Sequence, residues 1–171
     1  MRLTIIFTIR KIFMAATYKI STELYEESFQ LIALHTTMSP FTLAYNLNQY
    51  CGLDLERSEK DLQLNAATFP LFEGYNEELD YSFYLMGNVY LKEENVNSNG
   101  LFETFTSTIT NYLIEEYKEA SYLLRMDEVP ERHFKNYLKK TQAIHKVSLA
   151  YAIDVNKLKS KQNLILFNHA N

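Results

Sequence analysis

The stretch Ala150-Tyr-Ala-Ile-Asp-Val-Asn-Lys-Leu-Lys-Ser-Lys-Gln-Asn-Leu-Ile-Leu-Phe167 decides how this chain is put together. Two apolar pieces flank a polar cassette that holds Lys157, Lys159, Ser160 and Lys161. Upstream, Val147, Leu149, Tyr151 and Ile153 recur at every second residue, the period of a strand with one buried face. Asp154 and Asn156 are turn formers whose side chains bond nearby backbone. The pattern predicts a last strand over residues 146–153, a turn, and a cationic tail. If residues 157–161 were extended, the three lysines would share a side. Such a row suits a phosphate or carboxylate, and it equally suits a solvated edge kept from pairing with another chain.

Before this strand lies a helix. Asp127-Glu-Val-Pro130 opens it, with proline at the first helical position where its missing N–H costs nothing. Its first turn is acidic and its last turn, with Lys139 and Lys140, is basic, as the helix dipole favours. Phe134, Tyr137, Leu138 and Thr141 form a core-facing stripe. A second helix begins at Ser39-Pro40 and stops at Gly52 by the same capping logic. Its expected buried stripe is Phe41, Ala44, Leu47 and Cys51, widened by Leu43 and Tyr50.

Strands account for the remainder. Residues 29–36 are almost continuously apolar, which predicts burial on both faces. Residues 17–21, 62–72, 81–91, 104–113 and 121–126 are further strand candidates. A turn is expected over residues 74–78 and a polar loop over residues 92–100. The order β-β-α-β-β-β-β-α-β predicts an α+β fold, a mostly antiparallel sheet with two amphipathic helices packed on one face.

A length of 171 residues suits a single domain, here residues 14–167, with a short tail over 168–171. Residues 1–13 read as an extension, with Met14 the expected native start. Their apolar run is too short to span a membrane, and its charge follows the run rather than preceding it as in a signal peptide. Gly (4) and Pro (3) are scarce, so most of the chain should be regular. The single Cys51 excludes an internal disulfide and a multi-cysteine zinc site, and it points to a reducing, cytoplasmic setting. The net charge of −4 conceals a gradient: residues 14–128 carry −13 and residues 129–171 carry +6. The basic end is expected to fold back on the acidic body.

Two stretches carry a family resemblance. Leu113-Ile-Glu-Glu-Tyr-Lys-Glu-Ala-Ser-Tyr122 resembles the motif of the IPExxxVDY family of small bacterial proteins, with Ile114, Glu116 and Tyr122 matching. Glu115 stands for its proline, Ala120 for its valine and Ser121 for its aspartate. The closing stretch is similar to the family's C-terminal pattern at Ala150, Tyr151, Ile153, Asp154, Leu158, Lys159, Ser160, Lys161, Asn163, Leu164 and Ile165. The likeness spans residues 14–167 and implies membership without catalytic residues.

Other chemistry is thinly represented. His35 and Cys51 would be the residues for a base–thiol pair, but no third orienting group accompanies them. His133 and His145 lack partners at zinc spacing. Glu115, Glu116 and Glu119 are clustered acids with nothing nearby to raise a pKa. A P-loop, dinucleotide fingerprint, nucleophile elbow and HExxH are absent from the sequence. Tyr81, Tyr84 and Tyr90 would serve RNA stacking only if open to solvent beside basic residues, and they lie in the acidic region. No metal, cofactor, membrane or nucleic-acid role is expected. The leading expectation is a non-enzymatic binding or protein-interaction domain, self-associating through a sheet edge or meeting a protein partner. The alternatives are a small enzyme with a dispersed site, and weak anion or nucleic-acid binding by the basic C-terminal segment.

Overall fold

A computed structural model describes residues 29–97 and 104–166. The strand expected at residues 17–21 lies outside the described residues. Ten strands and two α-helices follow in order. They are β1 (Phe29–Thr36), α1 (Pro40–Cys51), β2 (Glu56–Arg57), β3 (Leu62–Leu64), β4 (Ala67–Phe69), β5 (Leu71–Asn76), β6 (Tyr81–Gly87), β7 (Val89–Asn97), β8 (Thr104–Tyr112), β9 (Tyr122–Asp127), α2 (Glu131–Gln142) and β10 (Val147–Ile153). Short 3-10 turns occupy Glu115–Tyr117, Val155–Lys157 and Lys161–Leu164. The protein is α+β, and the main sheet has six strands in the order β10-β1-β9-β6-β5-β2, antiparallel at every pairing.

The sheet's alternation sorts its side chains into two cores. On one face Ile32, Leu34, Phe72, Phe83, Leu85, Leu124 and Met126 meet Leu43, Ala44, Leu47 and Cys51 of α1 and Phe134 and Tyr137 of α2. Both helices therefore cover the same face. On the other face Leu31, Ala33, Met86 and Leu123 meet Phe69, Leu113, Ile114, Ala120 and Leu164. This second cover is made of the β3–β4 hairpin, the loop after β8 and the C-terminal tail, so β1 is buried on both sides. A fully buried Leu or Phe is worth about 2 kcal/mol, which makes the irregular cover a structural layer rather than a fringe.

The helix ends follow their sequence signals. Ser39 Oγ accepts the Thr42 N–H at 3.3 Å, and Gly52 takes the left-handed conformation (φ 70°) while its N–H bonds Asn48 O. In α2 the proline sits one position earlier than expected, at the N-cap. The stripe of α1 is narrower than expected. Leu43, Ala44, Leu47 and Cys51 are buried, whereas Phe41 and Tyr50 fall on its flanks and are 63% and 52% exposed.

Four strand boundaries differ from the sequence expectation. Residues 62–72 are not one strand: Asn65 turns left-handed (φ 55°), folding β3 onto β4 before β5 begins. Gly74 is inside β5, not in a turn, and the turn comes after Asn76. A Cβ at Gly74 would stand 2.3 Å from Leu53 O, so the glycine serves a close backbone approach. Residues 81–91 divide at Asn88, where the chain leaves the main sheet. Residues 92–97, expected as loop, continue β7, which pairs with β8 as a separate two-stranded arm.

Candidate functional site

The two stretches that carry the resemblance meet on the irregular face. Leu113 and Ile114 are fully buried there, and the chain then turns through Glu115–Tyr117. This aims Glu116 at the tail. Its Oε1 accepts the N–H groups of Lys159 (2.7 Å) and Ser160 (3.0 Å), and its Oε2 accepts the Ser160 hydroxyl (2.7 Å). Burial alone would raise the Glu116 pKa; these donors outweigh it and hold the carboxyl below its ordinary value. Beside this clasp, Asn163 Nδ2 donates to Leu113 O at 2.9 Å, and Leu164 is buried in the second core. Glu116, Ser160 and Asn163 are thus brought together.

The cassette itself is not extended. Lys157 ends one 3-10 turn and Lys161 starts the next, so the lysines do not form a row on one side. Lys157 Nζ pairs with Asp154 at 3.0 Å, Lys161 Nζ lies 5.7 Å from the Phe29 ring, and Lys159 is exposed. Asp154 Oδ1 also accepts the Asn156 N–H. The Lys157 bond first, and the Asn156 bond after it, hold its pKa down. The expected turn is present, and the carboxylate that the cassette's backbone receives is the chain's own.

Two further residues build this face and were not singled out in the sequence. Asn88 is fully buried; its Nδ2 donates to Tyr117 O (2.8 Å) and Ala120 O (3.0 Å), and its Oδ1 accepts the Ile114 N–H (2.8 Å). It is the internal template of the 113–121 loop. Arg125 is 2% exposed; it grips the Asp127 carboxylate with two bonds of 2.7 Å, donates to Leu164 O and lies 4.3 Å from the Phe29 ring centre. A charged residue inside the apolar run Tyr-Leu-Leu-Arg-Met was the signal for it, since buried charge needs partners.

Tyr122 donates to Met38 O at 2.9 Å, and Tyr151 lies between the rings of Tyr117 and His35. These two motif tyrosines sit apart from each other's partners and from the Glu116 clasp's hydrogen bonds. His35 contacts Tyr151 on the irregular face, whereas Cys51 is in the helix-side core, so the sheet separates this pair. Burial pushes the Cys51 thiol up, with the Thr141 hydroxyl 3.7 Å away opposing. His133 Nδ1 is 2.9 Å from Tyr81 Oη, and His145 is exposed. Glu115 and Glu119 are exposed. Tyr81 is buried, Tyr84 is half-buried beside Arg125, and Tyr90 is half-buried against Phe69, so none offers an open face for base stacking. Among the described residues no group of three or more His, Cys, Asp or Glu is placed to hold a metal, and no helix is long and apolar enough to cross a membrane.

The outward surface has one conspicuous departure from ordinary composition. All twelve residues of α1 are uncharged, and Phe41 and Tyr45, one turn apart, are each 63% exposed. Phe41 stands edge-on to Phe72, whose ring also carries Arg57 at 5.3 Å. No protein-family model, curated protein or solved structure matches the chain.

Proposed function

We propose that this chain is a protein-interaction domain of the IPExxxVDY type, working by binding rather than by catalysis. The observation that carries the reading is the aromatic, charge-free outer side of α1. Recognition surfaces concentrate aromatic residues and deplete charge at their centres, whereas a solvent-facing helix ordinarily carries charge. The motif residues support the same reading from the other side of the sheet. Glu116, Ser160 and Asn163 spend their polar groups on each other's segments and so hold the fold that presents α1. A cytoplasmic setting accords with the lone buried thiol.

A photo-crosslinking residue in place of Tyr45, used in the native cell, tests this. A discrete adduct that disappears when Phe41→Ala is added supports the reading. Its persistence in the Lys157/Lys159/Lys161 triple alanine variant separates α1 from the cassette. Absence of any adduct, or the same adduct from a control position such as Ser148, overturns it.

A further inference from the structure

The net charge counts against a polyanion as partner, but the fold sorts the charge by side. From residue 132 to residue 153 the chain has no Asp or Glu. It has Arg132, Lys135, Lys139, Lys140 and Lys146, all exposed on α2 and the turn that follows it. In α2, Phe134, Tyr137 and Thr141 face the core. At about 3.6 residues per turn, Arg132 and Lys139 share the line directly opposite, with Lys135 beside it and Lys140 on the flank toward Cys51. Lys135 pairs with Glu131 at 3.2 Å, whereas among the described residues Arg132, Lys139, Lys140 and Lys146 form no ion pair. Arg132 sits in the first turn, where the helix dipole disfavours a cation. Lys135 and Lys139 repel across one turn. An anion against this face relieves both costs.

Acids gather on the other side of the sheet. Glu56 and Glu73 face each other there, in line with Tyr84 of the second core, and Glu115, Glu116 and Glu119 belong to the loop on that side. A helix about 10 Å thick and the sheet stand between them and the outer face of α2, against a screening length of about 8 Å at physiological salt. The neighbouring helix, α1, is uncharged and reaches β5 through Phe41 and Phe72. α2 lies on the β10 side, where Gln142 Nε2 donates to Ala150 O at 2.8 Å. β10 ends the sheet, so among the described residues no helix flanks α2 beyond it.

The make-up of the face selects the anion. No large apolar side chain of residues 131–148 is exposed. A helix on a membrane surface inserts an apolar face, and a protein partner is anchored by buried aromatic and apolar groups; α2 offers neither. A nucleic-acid backbone is bound through charge alone. Single strands are held by stacking on exposed rings, and this face has no exposed Phe or Tyr. An α-helix enters the major groove of B-form DNA, about 12 Å wide, but not the deep, narrow groove of an RNA duplex. We infer that α2 lies in the major groove of duplex DNA, with Arg132, Lys139, Lys140 and Lys146 on backbone phosphates. Such contacts position a protein on the duplex without reading its sequence, so affinity follows charge and salt. This is a second binding face, and it does not depend on what occupies α1.

Fluorescence anisotropy of a labelled DNA duplex of mixed sequence with the full chain tests this between about 50 and 200 mM salt. Neutralising four phosphates gives a slope of log affinity against log salt of about −3.6, a loss of about a hundredfold over that range. Arg132→Ala with Lys139→Ala should make the slope shallower by about 2 and leave the thermal midpoint nearly unchanged, since both side chains are exposed. Arg132→Lys with Lys139→Arg keeps the charge and should keep the slope, which separates lost contacts from a damaged fold. The Lys157/Lys159/Lys161 triple alanine variant should keep it too; a shallower slope there assigns the binding to the cassette and overturns the inference. No binding at the lower salt, a slope near zero, or the parent slope in the double alanine variant also overturns it. Equal or tighter binding to a single strand of the same length, to polyglutamate or to vesicles rich in anionic lipid does the same. The Tyr45 crosslink is read independently, so either result can fail without the other.

Discussion

Single residues decide where this chain turns. Asn88 links three backbone groups of the 113–121 loop through one side chain. Asn88→Ala leaves them without partners in an interior site, and it should cost about 3 kcal/mol in urea unfolding. Gly74 is set by proximity rather than by φ: the carbonyls of Leu53 and Asp54 crowd the space where a Cβ would go. Gly74→Ala should cost about 2 kcal/mol by the same measurement, as overpacking does. The exposed rings of α1 behave in the opposite way. Phe41→Ala should change stability by only about 0.5 kcal/mol while removing the adduct formed by the crosslinking residue at position 45. Stability and binding are thus read from different residues. Asn65 and Asn88 show what sequence patterning cannot weigh. Each interrupts an apolar run that looks continuous, one by adopting a left-handed turn and one by bonding to residues 26 and more positions away.

Elements differ in how they are held. The helices are secured by local caps and an apolar stripe. The tail over residues 154–166 has one local cap, at Asp154, and no α-helical stripe, and it is fastened by Glu116, by Asn163 and by Arg125 at Leu164. The Glu116 carboxyl is held below its ordinary pKa, so the clasp's contribution is present above the unfolded-state value and is lost as pH falls through the lowered one. Hydrogen exchange at the amides of Lys159 and Ser160 should therefore quicken on acidification in that range. Glu116→Ala should exchange quickly at neutral pH and show no such step. An unchanged exchange profile in that variant would mean that the clasp does not hold the tail. The β7–β8 arm is the other element without local security, since its register is regular but among the described residues no third strand joins it. Its charge-free strand was legible as a strand; that the preceding polar residues 92–97 pair with it was not, because Lys, Glu and Asn signal loops when no cross-strand partner is in view.

At the scale of the whole molecule, the basic end lies back on the acidic body, and the contact at Glu116 is made with neutral groups rather than with the lysines' charges. The acidic body supplies Glu116, the basic end supplies the N–H groups and hydroxyl that bind it, and the described part of that end lies against the sheet. The six-stranded sheet is consequently covered twice, by helices on one face and by a hairpin, a loop and the tail on the other. The sequence by itself determined the α+β class, the doubly buried first described strand, the positions of both helices and the last strand, because periodicity and caps are local properties of the chain. The partners of Glu116, Asn88 and Arg125, the outward side of α1 and the pairing of residues 92–97 with β8 were decided only by tertiary structure. Those depend on which distant segments the sheet brings together, and no spacing along the chain encodes that distance.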